Sequence, residues 1–224
     1  IYINPTDDIL TEFRKKEPAR KALITNRELL AQKTVTRDNK RIFLMANINL
    51  LSDLSLARDC NADGIGLYRT EFPFLIRTDF PSEEEQYFIY RKLVQGMPDQ
   101  PITFRTLDIG GDKLLSYYEM NEHNPFLGFR SIRFSLQHTE VFTQQIRAIL
   151  RAGHTGHIRI MFPMISSLDE YRRARSIVEQ CLSELKTEEV PYNPNPEIGV
   201  MIEIPSLIPL LPAIAKEVDF FSVG

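Results

Sequence analysis

The sequence predicts an α/β fold, a (β/α)8 TIM-like barrel that is incomplete, with about six of the eight strands present in the 224 residues. Three observations predict it. From Arg41 to the end, an apolar strand, a polar turn and an amphipathic helix recur in alternation. Several of the six candidate strands, at 42–48, 64–68, 102–107, 158–164, 198–204 and 220–223, are apolar at successive positions, as parallel strands covered on both faces are. Charged residues then follow the carboxyl ends of several strands: Arg69 and Glu71, Arg105 and Asp108, and Glu203. A doubly wound sheet gathers its site at one crevice, whereas a barrel distributes it around one face, so this spread favours the barrel.

Residues 1–40 read as a helical linker or arm, and 41–224 as the partial barrel domain. Asn4 can cap a helix, Pro5 suits its first position, and Asp7 and Asp8 meet the positive end of the dipole. Ile9, Leu10 and Phe13 give only a narrow apolar stripe, and Pro18 breaks it before a second run through Leu23, Leu29 and Leu30. A surface helix packed on the following domain fits this segment equally well. Within the barrel region, Ser82 with Glu85 and Ser167 with Glu170 are expected capping boxes. Thr139 is expected to cap a helix through Phe142, Ile146 and Ile149 that Gly153 ends, and the last helix should start near Pro209 with a kinked or short first turn.

Composition bounds the function. With 43% hydrophobic and 25% charged residues the chain is ordinary globular protein, and it has no apolar run approaching the ~18 residues of a membrane span. A formal charge of −3 gives no general field for nucleic acid, so any anion site must be local. Cys60 and Cys181 fall in helical patterns without disulfide spacing and read as reduced core residues of a cytoplasmic protein. No Met opens the chain and its last residues read as a strand, as in a piece of a longer protein.

The stretch most in need of a functional explanation is TFRTLDIGGDKLLSYYEMNEHNPFLGFRSIR, 103–133. A strand feeds directly into Arg105, Asp108, Gly110, Gly111, Asp112 and Lys113. Charges at such a position are costly without partners, and the glycine pair allows positive φ and close approach of a ligand. A salt-bridged loop would explain the same residues. His154 and His157 form an H-x-x-H pair, but no carboxylate or cysteine accompanies them at ligand spacing, so they read as loop histidines entering a strand. His123 and His138 are likewise loop-like.

Five motifs in order carry a family resemblance: GIGLYRTEFPFL at 64–75, PSEEEQ at 81–86, TFRTLDIGGDK at 103–113, NPFLGFRSIR at 124–133 and IGVMIEIPS at 198–206. Together they resemble enzyme I of the bacterial phosphoenolpyruvate phosphotransferase system, from about Asn4 to Gly224. FSLQHTEVFTQQIRAILRAG is similar to the nitrogen-related paralogue rather than the sugar enzyme.

The resemblance implies a phosphoenolpyruvate-binding domain whose phosphate contacts are Arg69 and Arg105, with Arg130 a further site arginine. Asp108 and Lys113 would stand behind those contacts, and Glu203 would be a ligand of Mg²⁺. Guanidinium forks suit phosphate, and a hard oxygen donor suits Mg²⁺. The resemblance also implies a phosphoacceptor histidine on a separate domain, a phosphocarrier protein as partner, and a homodimer. The family's second Mg²⁺ ligand, an Asp in an Asn-Asp pair, and its catalytic cysteine would lie beyond Gly224, so the isolated chain is expected to be inactive. Two other readings stand beside this one: a piece of a pyruvate phosphate dikinase or phosphoenolpyruvate synthase, and a non-catalytic dimerisation or ligand-binding module.

Overall fold

Six strands hydrogen-bond to one another in the order in which the chain makes them. They are β1 (Ala46–Ile48), β2 (Ile65–Arg69), β3 (Ile102–Arg105), β4 (Ile158–Phe162), β5 (Glu197–Ile202) and β6 (Phe220–Val223), and every neighbouring pair is parallel. The computed structural model describes residues 6–7, 10–14, 33–110 and 128–224. A strand order without reversal, joined by right-handed crossovers, sends every helix to the same face. A doubly wound sheet must reverse its order, so this parallel six-stranded sheet is consistent with an incomplete barrel and not with a doubly wound fold.

The helices are α1 (Asp53–Asp59), α2 (Phe72–Leu75), α3 (Glu83–Gly96), α4 (Ile132–Gln137), α5 (Thr139–Ala152), α6 (Leu168–Thr187) and α7 (Leu211–Ile214). The main core lies between the sheet and α3, α5 and α6, with α5 packed between the other two. Tyr68, Tyr90 and Phe104 meet edge to face with centroids 5.1–6.0 Å apart, and Phe162 bridges Phe142 at 6.1 Å and Tyr171 at 6.3 Å. Over this core, Arg147 pairs with Glu83, Glu184 and Glu188, and Arg151 with Glu83 and Glu84. These pairs lace the three helices together at their partly exposed edges.

All six expected strands form, but most are shorter than apolar character alone suggests. The first begins at Ala46 rather than residue 42, because Asp63 takes over Leu44: its carboxylate accepts the Leu44 amide at 2.8 Å and its own amide donates to the Leu44 carbonyl. The third ends at Arg105, because the Leu107 amide turns to the Gln145 side chain at 2.9 Å. The fourth ends at Phe162, two residues before Met164 takes φ of +57°. Glu203 therefore stands one residue beyond β5 rather than within it.

Helix starts and stops follow the expected chemistry in part. Ser82 and Glu85 close a full capping box. At α6, Ser167 Oγ accepts the Glu170 amide, but the Glu170 carboxylate reaches the amide and hydroxyl of Ser166 instead of completing the box. Thr139 is the first residue of α5 rather than its cap; α4 runs to Gln137, so His138 alone joins the two helices and makes no side-chain cap. Past Pro205 the chain winds as a 3-10 helix, Pro205–Leu210, before the short α7, because Pro209 has no amide to donate to an α-helical ladder.

Cys181 is buried as expected, and burial pushes its thiol up to about 12. Cys60 is not a core residue. It follows the end of α1 and is exposed. Among the described residues no helix is long and apolar enough to cross a membrane.

Candidate functional site

Arg69 and Arg105 end β2 and β3 and are direct partners in the parallel ladder. Register partners in neighbouring parallel strands present their side chains to the same face. Tyr68 and Phe104, the preceding pair, face the helices, so the two arginines face the opposite side of the sheet.

Their surroundings differ. Arg69 is exposed and donates from Nη1 to Asn49 Oδ1 at 3.3 Å. Arg105 is 6% exposed and held between two buried carboxylates: Nη2 pairs with Glu71 Oε1, and Nη1 lies 3.1 Å from Asp108 Oδ2. The other Asp108 oxygen receives Arg130 Nη2 at 3.1 Å and the Ser131 hydroxyl. Asp108 thus couples Arg105 to Arg130, and the sequence-predicted residues Arg105, Asp108 and Arg130 form one cluster. Among the described residues, Arg105 Nε is buried and has no hydrogen-bond partner.

The loop after β3 is shaped to hold this cluster. Gly110 has φ of +117°, and a Cβ there would stand 2.4 Å from Arg130 Cβ, so only glycine allows the two segments to lie this close. The Ser131 amide donates to the Ile109 carbonyl at 2.8 Å, and Ser131 itself has φ of +51° and ψ of −120°. A non-glycine residue in that region stores strain, and such residues gather at ligand sites. Leu107 and Ile109 anchor the loop on a separate apolar cluster with Phe74 and Phe134, flanked by Phe80 and Phe129.

Glu203 lies at the same end of the sheet, half-buried, with Oε1 accepting the Met164 amide at 2.7 Å. Among the described residues that is the carboxylate's only hydrogen bond, made through Oε1 and not Oε2. Lys113, with Gly111, Asp112 and His123, lies outside the described residues. At the opposite end of the strands, His157 Nε2 sits 2.9 Å from Glu197, which also pairs with Arg159 at 2.7 Å. A carboxylate does accompany that histidine, brought from the neighbouring strand, where spacing along the sequence could not show it. Among the described residues no group of three His, Cys, Asp or Glu side chains is placed to hold a metal.

Three residues at the site had no role assigned from sequence. Glu71 belongs to the strand-end charges but gave no sign that it would pair with Arg105. Thr70 and Gln145 are fully buried behind the arginines. The signal for Gln145 was present: it is a polar side chain on the helical face that Phe142, Ile146 and Ile149 make apolar.

Known proteins resemble this chain over most of its length. A model of the PEP-utilising enzyme, PEP-binding domain, matches residues 25–224. The chain is 44% identical to a phosphoenolpyruvate-protein phosphotransferase of Streptococcus equinus and 42% identical to one of Staphylococcus carnosus, across its whole length in both cases. To the protein of the same name from Mycoplasma capricolum it is 46% identical over 85% of the chain. It spans 40%, 39% and 33% of those relatives' own lengths, respectively. With all six strands of the sheet inside the matched span, the chain belongs to the family of PEP-binding domains of PEP-utilising enzymes.

Proposed function

We propose that the chain is the phosphoenolpyruvate-binding part of a phosphoenolpyruvate-protein phosphotransferase, in which Arg105, Arg69 and Arg130 receive the substrate's phosphate. The observation that carries this reading is the buried Arg105 Nε without a partner, on a guanidinium whose other two nitrogens are already fixed by Glu71 and Asp108. Burying a donor without a partner costs about 1–3 kcal/mol, and an anion oxygen would offset that cost. The names of the relatives favour this reading over a dikinase or synthase.

In phosphoryl transfer the protein chiefly positions the group and neutralises charge as it develops. Arg105 is suited to hold a non-bridging oxygen in one orientation, because its two carboxylate partners leave the guanidinium no freedom to rotate. Arg69, at the solvent edge of the same ladder, is suited to capture the incoming anion. The phosphoryl group then passes to a histidine outside this chain and on to a phosphocarrier protein, its bond to the enol oxygen breaking to leave enolpyruvate, which takes up a proton to become pyruvate. The same reading takes the full barrel as the parent architecture, residues 1–40 as a linker or arm, a homodimer as the assembly, the nitrogen branch as the pathway and the cytoplasm as the location.

Mg²⁺ belongs to the proposal as well. Glu203 fits it by chemistry: a hard oxygen donor at the strand-end face, oriented by the Met164 amide and with a second oxygen remaining. When bound, the ion would neutralise charge on the substrate oxygens.

The experiment is a calorimetric titration of phosphoenolpyruvate into the full-length protein and its Arg105→Ala variant. Binding by the first and at least about tenfold weaker binding by the second is expected, as for loss of one charge-assisted contact. Equal affinities would reduce Arg105 to a structural ion pair.

A further inference from the structure

We infer that Gln145 and Thr70 are positioning residues for Arg105, clamping the end of β3 from the helix side so that the guanidinium is fixed for an anion. The inference rests on the reading of Arg105 as a phosphate contact.

The clamp is one continuous set of bonds. Gln145 Oε1 accepts the Leu107 amide at 2.9 Å, and its Nε2 donates to Thr70 Oγ1 at 3.1 Å. The Thr70 hydroxyl in turn donates to the Arg105 carbonyl at 2.8 Å. One glutamine therefore ties down the carbonyl before Thr106 and the amide after it. This is where the β3 ladder ends, with only the Thr106 amide still reaching Met161 on β4, at 3.0 Å. Without the clamp, the two flanking groups would lose their partners where water cannot reach.

The network continues inward. Gln145 Nε2 also lies 3.4 Å from the Tyr90 hydroxyl, which donates to Gln86 Oε1 at 3.0 Å, and Gln86 Nε2 donates to the Pro81 carbonyl at 2.9 Å. Thr70, Gln86, Tyr90 and Gln145 are each no more than 1% exposed. An apolar side chain would fill the Gln145 position on α5 at lower desolvation cost. A buried amide satisfied on both its atoms specifies one arrangement of the strand end instead. The side chain so fixed is Arg105, whose carbonyl is one end of the clamp.

The test uses the full-length protein, with phosphoenolpyruvate as substrate and pyruvate release as the readout. Thr70→Val keeps the shape but loses the donor to Arg105 and the acceptor for Gln145, whereas Thr70→Ser keeps both. Thr70→Val is expected to lower kcat/KM between about tenfold and about a hundredfold, the scale on which small misplacements act, and Thr70→Ser to recover most of it. Gln145→Met should match Thr70→Val; if it does not fold, the Thr70 pair carries the test. In an Arg105→Lys background Thr70→Val should cost little more, because the group it positions is already gone. An unchanged kcat/KM in Thr70→Val, a Thr70→Ser variant no better than Thr70→Val, or the same fractional loss with and without Arg105 would each overturn the clamp. Wild-type kinetics in Arg105→Lys itself is a different result: it overturns the phosphate reading, and the clamp with it.

Discussion

Arg69 and Arg105 are register partners across the β2–β3 ladder, yet Arg69 stands at the solvent edge with Asn49 as its one partner among the described residues, while Arg105 is buried between Glu71 and Asp108. The same substitution at the two positions should therefore separate activity from stability. In the full-length protein, Arg105→Ala and Arg69→Ala should each reduce turnover severely, since each loses a charge-assisted contact worth roughly 1.5–3 kcal/mol. Lysine should rescue neither fully, because it keeps the charge and loses the fork. Only Arg105→Ala should also destabilise the fold, by about 3–5 kcal/mol, because it breaks two buried ion pairs at once, with Glu71 and with Asp108. Arg69→Ala should lie within about 0.5 kcal/mol of wild type in denaturant melts. Equal stability losses in the two variants would contradict the burial difference.

Gly110→Ala is expected to disturb the arginine cluster without touching any charge. The new Cβ would meet Arg130 Cβ at 2.4 Å, and the backbone at φ of +117° disfavours any side chain. Relaxation must push Arg130 away from Asp108, so phosphoenolpyruvate affinity should fall together with stability by more than about 1 kcal/mol. Wild-type binding and melting in this variant would show that the two segments do not need their close approach.

Much of this was legible beforehand, for physical reasons that can be named. Parallel strands covered on both faces leave continuous apolar runs, so all six strands were visible. Where several of them began or ended was not, because those limits depend on partners far along the chain: Asp63 for Leu44, and Gln145 for Leu107. Charges after the strands marked Arg69, Arg105 and Asp108 as candidates, and the family resemblance added Arg130. That Glu71 would close on Arg105, and Asp108 on both Arg105 and Arg130, follows from the register of β2 and β3 and the path of the loop. The two cysteines show the limit of periodicity: both fit helical patterns, but Cys60 stands just past the end of its helix, where the buried stripe no longer governs.

The cysteines give a prediction of their own. Cys181 is buried and desolvation pushes its thiol up to about 12, so it carries almost no thiolate at about pH 8, whereas Cys60 is exposed. Of this chain's two cysteines, a maleimide should label Cys60 rapidly in the native protein and Cys181 only on unfolding. Mass measurement of the intact protein with time would check it; fast labelling of Cys181 in the native protein would contradict its burial.

Acid should act on the start of α6 through Glu170. Burial raises this carboxyl's pKa, but hydrogen bonds from Ser166 and the Arg133 guanidinium outweigh that and leave it below the ordinary 4.5. A group depressed in the folded state contributes stability above its unfolded pKa, and that contribution is lost as pH falls through the folded value. Glu170→Gln should therefore be less stable than wild type near neutrality, and the gap should narrow as pH drops below about 4.5. Denaturant melts of both proteins across that range would test it; a gap that widens toward acid would reverse the sign.

Glu203 offers the sharpest separation between metal ligand and structural carboxylate. Its Oε1 accepts the Met164 amide, and Met164 sits at φ of +57°, so the carboxylate also has a structural role at the end of β4. Glu203→Gln keeps an oxygen for that amide but removes the charge that a hard divalent cation requires. Mg²⁺ dehydrates reluctantly and is normally held by one or two carboxylates together with substrate phosphates. Metal binding in the full-length protein should then be weak alone and strengthen with phosphoenolpyruvate. Glu203→Gln should shift the Mg²⁺ or Mn²⁺ concentration giving half-maximal activity upward by about tenfold or more, with little change in thermal stability, because the Met164 bond survives. Calorimetric titration of Mn²⁺ in the presence and absence of phosphoenolpyruvate reads the same difference without turnover. If Glu203→Gln melts at a much lower temperature and binds Mn²⁺ as wild type does, Glu203 serves only to hold the turn at Met164.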